Sequence, residues 1–238
     1  MSLSAHATAT RRRAGGAAVI AFPVVLAASD LVAPSFDHGT QLVIAVAAHP
    51  ARTWALAGLR LAAAALFLAA VASVAAQVRG RGSRVAITAV VLGTLGALGQ
   101  AQDAAYQLFV LNLRHEDPQA AGALLTRLDS LAAPLELPLL LAFAVALVLV
   151  VVAAWRGGIA PTWALAAACG AFLAHLAPGV GASRVADLLL GVAYLWLGWR
   201  LLNARTDTTA PTDSDRPAAA PSAAWPRQLA PGPRPRLP

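Results

Sequence analysis

Lysine is absent from this chain of 238 residues, so its formal charge of +7 is carried by arginine alone. Charge of either sign is scarce. Only 12% of residues are Asp, Glu, Lys or Arg and 58% are hydrophobic, where a soluble domain carries roughly a quarter charged residues. That balance excludes an ordinary soluble globular protein and points to a polytopic membrane protein. The arginines sit at the ends of apolar runs and form no stripe with polar or aromatic neighbours, which argues against a nucleic-acid partner. The single cysteine, Cys169, excludes an internal disulfide. Flanked by apolar residues and Gly170, it is expected to be a buried thiol and not a nucleophile.

What is present is a series of long apolar runs. The stretch Arg79 to Phe109, RGRGSRVAITAVVLGTLGALGQAQDAAYQLF, is basic at one end, apolar in the middle and polar at the other. From Arg84 to Asp103 it covers roughly 28 Å at ~1.5 Å per helical residue, close to the ~30 Å hydrocarbon layer of a bilayer. Five further runs make the expected fold an all-α, polytopic transmembrane helical bundle of six spans. They cover residues 16–34, 56–77, 132–155, 161–177 and 185–202. The first follows Arg11, Arg12 and Arg13. Its alternative, a cleaved signal peptide, would lower the count to five and leave the later helices oriented as before. Between spans one and two, LVIAVAAHP is too short to cross and predicts a short helix ending before Pro50. Asp117 followed by Pro118 marks a helix start, and Ala120 to Leu131 predicts a short interfacial helix ahead of the fourth span. Gly93, Gly96 and Gly99 predict one smooth face for a neighbouring helix. A faint internal repeat aligns LRLAAAALFLAAVASVAAQVRGRG with LELPLLLAFAVALVLVVVAAWRGG, Leu59 matching Leu135.

Charge orients the bundle. With both termini cytoplasmic, Arg11, Arg12, Arg13, Arg79, Arg81, Arg84, Arg156, Arg200 and Arg205 lie inside, against Arg52, Arg114, Arg127 and Arg184 outside. This obeys the positive-inside rule. Trp155, Trp163, Trp196 and Trp199 then collect at the inner interface and Trp54 at the outer. The organisation is a cytoplasmic segment 1–14, a membrane domain 15–205 and a Pro/Arg-rich tail 206–238. The tail lacks the apolar content to offset its ordering entropy and is expected to be a disordered cytoplasmic extension.

The ionisable residues of the spans gather in the outer half of the bilayer, which defines a candidate polar pocket of Asp30, Arg60, Gln100, Asp103, Glu136, His175 and Asp187. A charge in lipid is costly unless paired, hydrated or near the interface. Arg60, the deepest cation, is therefore expected to pair with Asp103, Glu136 or Asp30. Gln100, Asp103 and Gln107 share one helical stripe, and Asp187, Gly191, Tyr194 and Gly198 another; both are expected to face the bundle interior. Such a cluster either pins helix order as a satisfied network or lines an outward cavity for a cation or proton-coupled solute. No catalytic constellation, cofactor or metal set is evident. Paired intramembrane histidines for haem, close-spaced zinc ligands, a nucleophile elbow and a phosphate loop are all missing. The protein is expected not to be an enzyme.

The runs LVIAVAAHPARTWALAGLRL, AITAVVLGTLGALG after its Arg-Gly linker, and AAWRGGIAPTWALAAACGAFL resemble the uncharacterised six-helix integral membrane proteins common in high-GC Gram-positive bacteria. The resemblance covers roughly residues 15–203. It implies a bacterial plasma-membrane location, with the lipid bilayer as the first partner, and carries no known activity or site residues. The expected role is an accessory or structural membrane protein with an unidentified protein partner. The alternative is a small secondary transporter or solute- or cation-binding protein with an extracytoplasmic pocket.

Overall fold

The computed structural model describes residues 3–34, 39–176 and 180–203, with side chains from residue 10 and without those of residues 175–184. The tail 206–238, the side chains of His175 and Arg184, and residues Asp37 and His38 lie outside the described residues. All regular structure described is helical. The order is α1 (Leu3–Val32), α2 (Gly39–Ala48), α3 (Pro50–Gln77), a 3-10 turn (Gly80–Gly82), α4 (Ser83–Asn112), a second 3-10 turn (Leu113–His115), α5 (Pro118–Arg156), α6 (Thr162–Leu176) and α7 (Val180–Asn203).

Among the described residues five helices are long and apolar enough to cross a membrane: Thr10–Val32, Pro50–Gln77, Gly80–His115, Pro118–Arg156 and Val185–Asn203. Their outward faces carry the same aliphatic chains as their inward ones. Ile87, Val91, Leu95 and Leu98 form an exposed stripe along α4, and Leu188, Val192, Leu195, Trp199 and Leu202 another along α7. A helix apolar all round needs an apolar solvent on its unpacked side, which water is not. The fold is thus that of a multi-pass membrane protein. The fifth expected span, α6, has only 15 residues, about 22 Å at the helical rise, so by length alone it falls short of a bilayer.

The membrane core is an aromatic knot. Phe22 of α1 meets Phe67 of α3 at 5.0 Å and Tyr194 of α7 at 5.6 Å, and Phe67 meets Phe143 of α5 at 4.8 Å. The offset that pairs Leu59 with Leu135 in the sequence also pairs Phe67 with Phe143, so the repeated position is the one where the two hairpins touch. Tyr194 is fully buried, and its hydroxyl donates to the Leu147 carbonyl at 3.0 Å. This satisfies the one polar atom the knot contains.

Small residues let the helices close. A methyl on Gly96 would lie 2.5 Å from the Phe143 Cα, and one on Gly99 3.0 Å from the Leu139 Cβ, so both glycines face α5. Gly93 faces α3 instead, opposite Val71 and Phe67. The expected single smooth face is therefore divided between two neighbours, because three-residue steps fall short of a full helical turn and drift around the axis. Gly198 on the interior stripe of α7 packs on Gly16 and Ile20 of α1. Gly191 on the same stripe meets nothing.

The expected interfacial helix over 120–131 is not separate. It is the first part of α5, a single helix of 39 residues with Pro134 and Pro138 inside it. At ~1.5 Å per residue α5 spans about 58 Å, nearly twice the hydrocarbon thickness. Its first turns and the end of α4 project past the membrane core and hold a second hydrophobic cluster. There Leu42, Val43 and Val46 of α2 pack against Val110, Leu111, Ala121 and Leu125. Asp117 caps α5 as expected, its carboxylate accepting from the Ala120 N–H at 2.9 Å. Cys169 lies exposed on the outside of α6, against the expectation of burial. In a membrane bundle an apolar flank means lipid as readily as core.

Candidate functional site

Between the aromatic knot and the outer hydrophobic cluster lies the polar level of the molecule, centred on Arg60. Its helix, α3, starts at Pro50, a residue suited to the first helical turn because its missing N–H is not needed there. The guanidinium therefore projects from the third turn towards the ends of α1 and α4. Its Nη2 lies 3.0 Å from Asp30 Oδ1, its Nη1 donates to Gln100 Oε1 at 3.2 Å, and its Nε is 3.3 Å from Asp103 Oδ2. The last contact is an ion pair without hydrogen-bond alignment, and Nε is buried with no hydrogen-bond partner. One cation thus ties α1 to α4 across α3. Gln100 is buried, whereas the Arg60 side chain is 19% exposed and Asp30 42%.

Two supports hold the geometry. Arg52, one helical stretch earlier on α3, donates from Nε to the Val32 carbonyl at 2.6 Å and from Nη2 to the Ala33 carbonyl at 2.9 Å. A cation on the last carbonyls of α1 satisfies groups that no helical N–H reaches and suits the helix dipole. Ser29, fully buried, donates to the Leu26 carbonyl at 2.6 Å, so the turn that presents Asp30 contains a satisfied hydroxyl.

Beside this network is a cavity of about 380 Å³ that joins α4 to α5 beneath α2. Its polar lining is Arg60, Gln102, Asp103, Tyr106 and Gln107 with Asp129 and Glu136, and Leu42 and Leu56 contribute apolar wall. Of the residues expected to share a pocket, the structure brings together Asp30, Arg60, Gln100 and Asp103 as one bonded group, with Glu136 across the cavity. Asp187, partly buried on α7 and engaged in an interaction of its own, does not line it. Asp129, Tyr106 and Gln107 belong to the site although the candidate set omits them. Asp129 and Glu136 are seven residues apart and share a face only if the helix runs unbroken through Pro134. A helix start placed after Leu131 hides that relation.

Chemically the lining is three carboxylates, one guanidinium, a phenol and the two amides of Gln102 and Gln107. The Tyr106 hydroxyl and Gln107 Oε1 are both buried without a hydrogen-bond partner. Acceptors outnumber fixed positive charge, an arrangement suited to a small cation or hydrogen-bond donor. Among the described residues no group of three or more His, Cys, Asp and Glu is placed to hold a metal ion. Compared with known proteins, the chain matches no family model, no curated protein and no solved structure.

Proposed function

We propose that this is a six-crossing integral membrane protein of bacterial plasma-membrane type, with both termini cytoplasmic, and that its role is accessory or structural and not catalytic. The observation that carries the structural role is the Arg60 network, in which one cation is met by Asp30, Asp103 and Gln100 from two other helices. A half-buried charge so paired fixes which helices lie side by side, a use of ion pairs better attested than net stabilisation. Six crossings are supported by the chain's path. The end of α5 lies against the α3–α4 turn, where Gly82 meets Gly157, and the end of α7 lies against the start of α1, where Gly198 meets Gly16. Because α1 in turn meets the end of α3 at Gly15 and Ser73, all these ends share one level. A return of the chain across the layer by α6 is what such a path calls for before α7 crosses it again. The plasma-membrane location rests on the sequence resemblance to six-helix proteins of high-GC Gram-positive bacteria alone.

The test is purification from native membranes after mild crosslinking. A partner recovered in stoichiometric amount supports the accessory role. A second reading is favoured by one observation, the 380 Å³ cavity with three carboxylates, which suits a cation-binding or solute-transporting protein. Cation-dependent uptake into proteoliposomes, abolished by Glu136→Gln, would establish that reading in place of the first.

A further inference from the structure

The opposite end of the bundle holds a second hollow, of about 850 Å³, lined by Gly80, Arg81, Ser83, Arg84, Trp155 and Arg156. Its arginines come from two separate turns, and the packing shows why they meet. Gly80 adopts φ +66°, a left-handed conformation that a side chain would strain, and the Ser83 hydroxyl donates to the Gly80 carbonyl at 2.9 Å, closing the turn. Gly82 then docks on the end of α5. A methyl at Gly82 would lie 2.8 Å from the Ala153 carbonyl oxygen and 3.2 Å from the Gly157 nitrogen. This contact places Arg81 and Arg84 on one side of the hollow and Arg156, with Trp155, on the other.

Three guanidinium groups thus share one concavity, and its lining contains no acid. Among the described residues none of the three makes an ion pair with a carboxylate. Three exposed cations around one concavity create a positive potential that favours an anion there. The surroundings say which kind of anion. Trp155 is exposed beside the hollow, and exposed indole rings are enriched where a protein meets a bilayer interface. Above Arg84 on the same face of α4, Ile87, Val91 and Leu95 form an exposed aliphatic track leading into the apolar layer. A charged pocket continuous with an aliphatic track fits a molecule that has a phosphate at one end and a hydrocarbon chain at the other.

We propose that this hollow binds the phosphate headgroup of an anionic phospholipid, with Arg81, Arg84 and Arg156 around the phosphate and an acyl chain along Ile87, Val91 and Leu95. Arginine suits the role because its planar fork matches two phosphate oxygens at once, and basic pockets between membrane helices hold anionic headgroups elsewhere. The proposal rests on the membrane reading of the fold and is independent of the outer cavity. Requirement of detergent for extraction checks the membrane reading separately.

The experiment is native mass spectrometry of the full chain in neutral detergent with equal phosphatidylglycerol and phosphatidylcholine. Preferential retention of phosphatidylglycerol by about tenfold is expected, the order that several arginines near an anionic headgroup supply. The variant Arg81→Gln/Arg84→Gln/Arg156→Gln is expected to retain the two lipids equally, while Arg11→Gln/Arg12→Gln/Arg13→Gln, equally reduced in charge, keeps the preference. Equal retention of both lipids by the native chain, or an unchanged preference in the first variant, overturns the proposal. Inorganic phosphate on the native protein is the arm that needs no variant. Displacement of phosphatidylglycerol by millimolar phosphate would assign the hollow to a soluble phosphate and overturn the lipid assignment; no displacement supports it.

Discussion

Arg60 is the residue on which the outer half of the bundle turns. Replacing it with methionine keeps the volume and leaves Asp30 and Asp103 facing each other without the cation. The expected loss is about 2 kcal/mol, between the roughly 0.6 of an average intramembrane polar contact and the roughly 3–5 of a broken buried ion pair. Unfolding of Arg60→Met in detergent measures it, and adding Asp103→Asn to that variant should recover part of the loss, because one stranded carboxylate becomes neutral. Independent, additive effects of the two substitutions would show that the residues do not act as a unit. Cys169 is a second case where the environment decides. Exposed on α6, it is expected to react poorly with a charged maleimide in membranes and readily with an apolar one, since lipid and not protein covers it. Fast reaction with the charged reagent would place this flank in water.

Among the elements, α4 and α5 pack closely, and the contact at Gly96 decides their spacing. A methyl there meets the Phe143 backbone at 2.5 Å, which no rotamer change relieves. Gly96→Ala should therefore cost about 1–3 kcal/mol, the usual penalty of overpacking. Gly58 on α3 has nothing within 4 Å, so Gly58→Ala should be neutral or stabilising by up to about 1 kcal/mol through helix propensity alone. Thermal unfolding of the two variants side by side separates packing from propensity, and equal effects would contradict the assigned α4–α5 contact. Length also matters at this scale. α5 outreaches the bilayer because its first turns serve the outer cluster with α2. That role is not legible in the sequence, which divides the stretch into a short helix ending at Leu131 and a span from residue 132, with Pro134 and Pro138 just beyond the division. Proline removes the hydrogen bond to the carbonyl four residues earlier, yet tertiary contacts on both sides of the pair, with α2 before it and α4 after it, hold the helix together through it.

For the whole molecule, the distribution of arginine carries the proposed orientation, and labelling tests it. With Cys169→Ala as background, Gln119→Cys at the start of α5 should react with an impermeant maleimide on intact cells. Arg81→Cys in the α3–α4 turn should react only after lysis. The reverse pattern would invert the bundle and move the Arg60 level to the inner leaflet. The two polar levels divide the work. The Arg60 level is met by its own carboxylates, whereas among the described residues Arg81, Arg84 and Arg156 make no ion pair with one, so under the proposed lipid binding only their level draws a counter-charge from the membrane.

The sequence by itself determined that the chain is helical and built for lipid, because hydropathy and run length are local properties that need no partner. It also determined the α5 start at Asp117, through a cap that acts within one turn, and the identity of Arg60 as the cation most in need of a carboxylate. Only the tertiary structure decided which carboxylates answer it, because Asp30, Asp103 and Glu136 were equivalent by depth and differ only in where α1, α4 and α5 stand around α3. It alone separated Asp187 from the cavity and admitted Asp129. Depth along a helix is written in the order of residues, whereas the angle at which one helix faces another is settled by the packing of Phe22, Phe67, Phe143 and Tyr194 and by the glycines that let their helices approach.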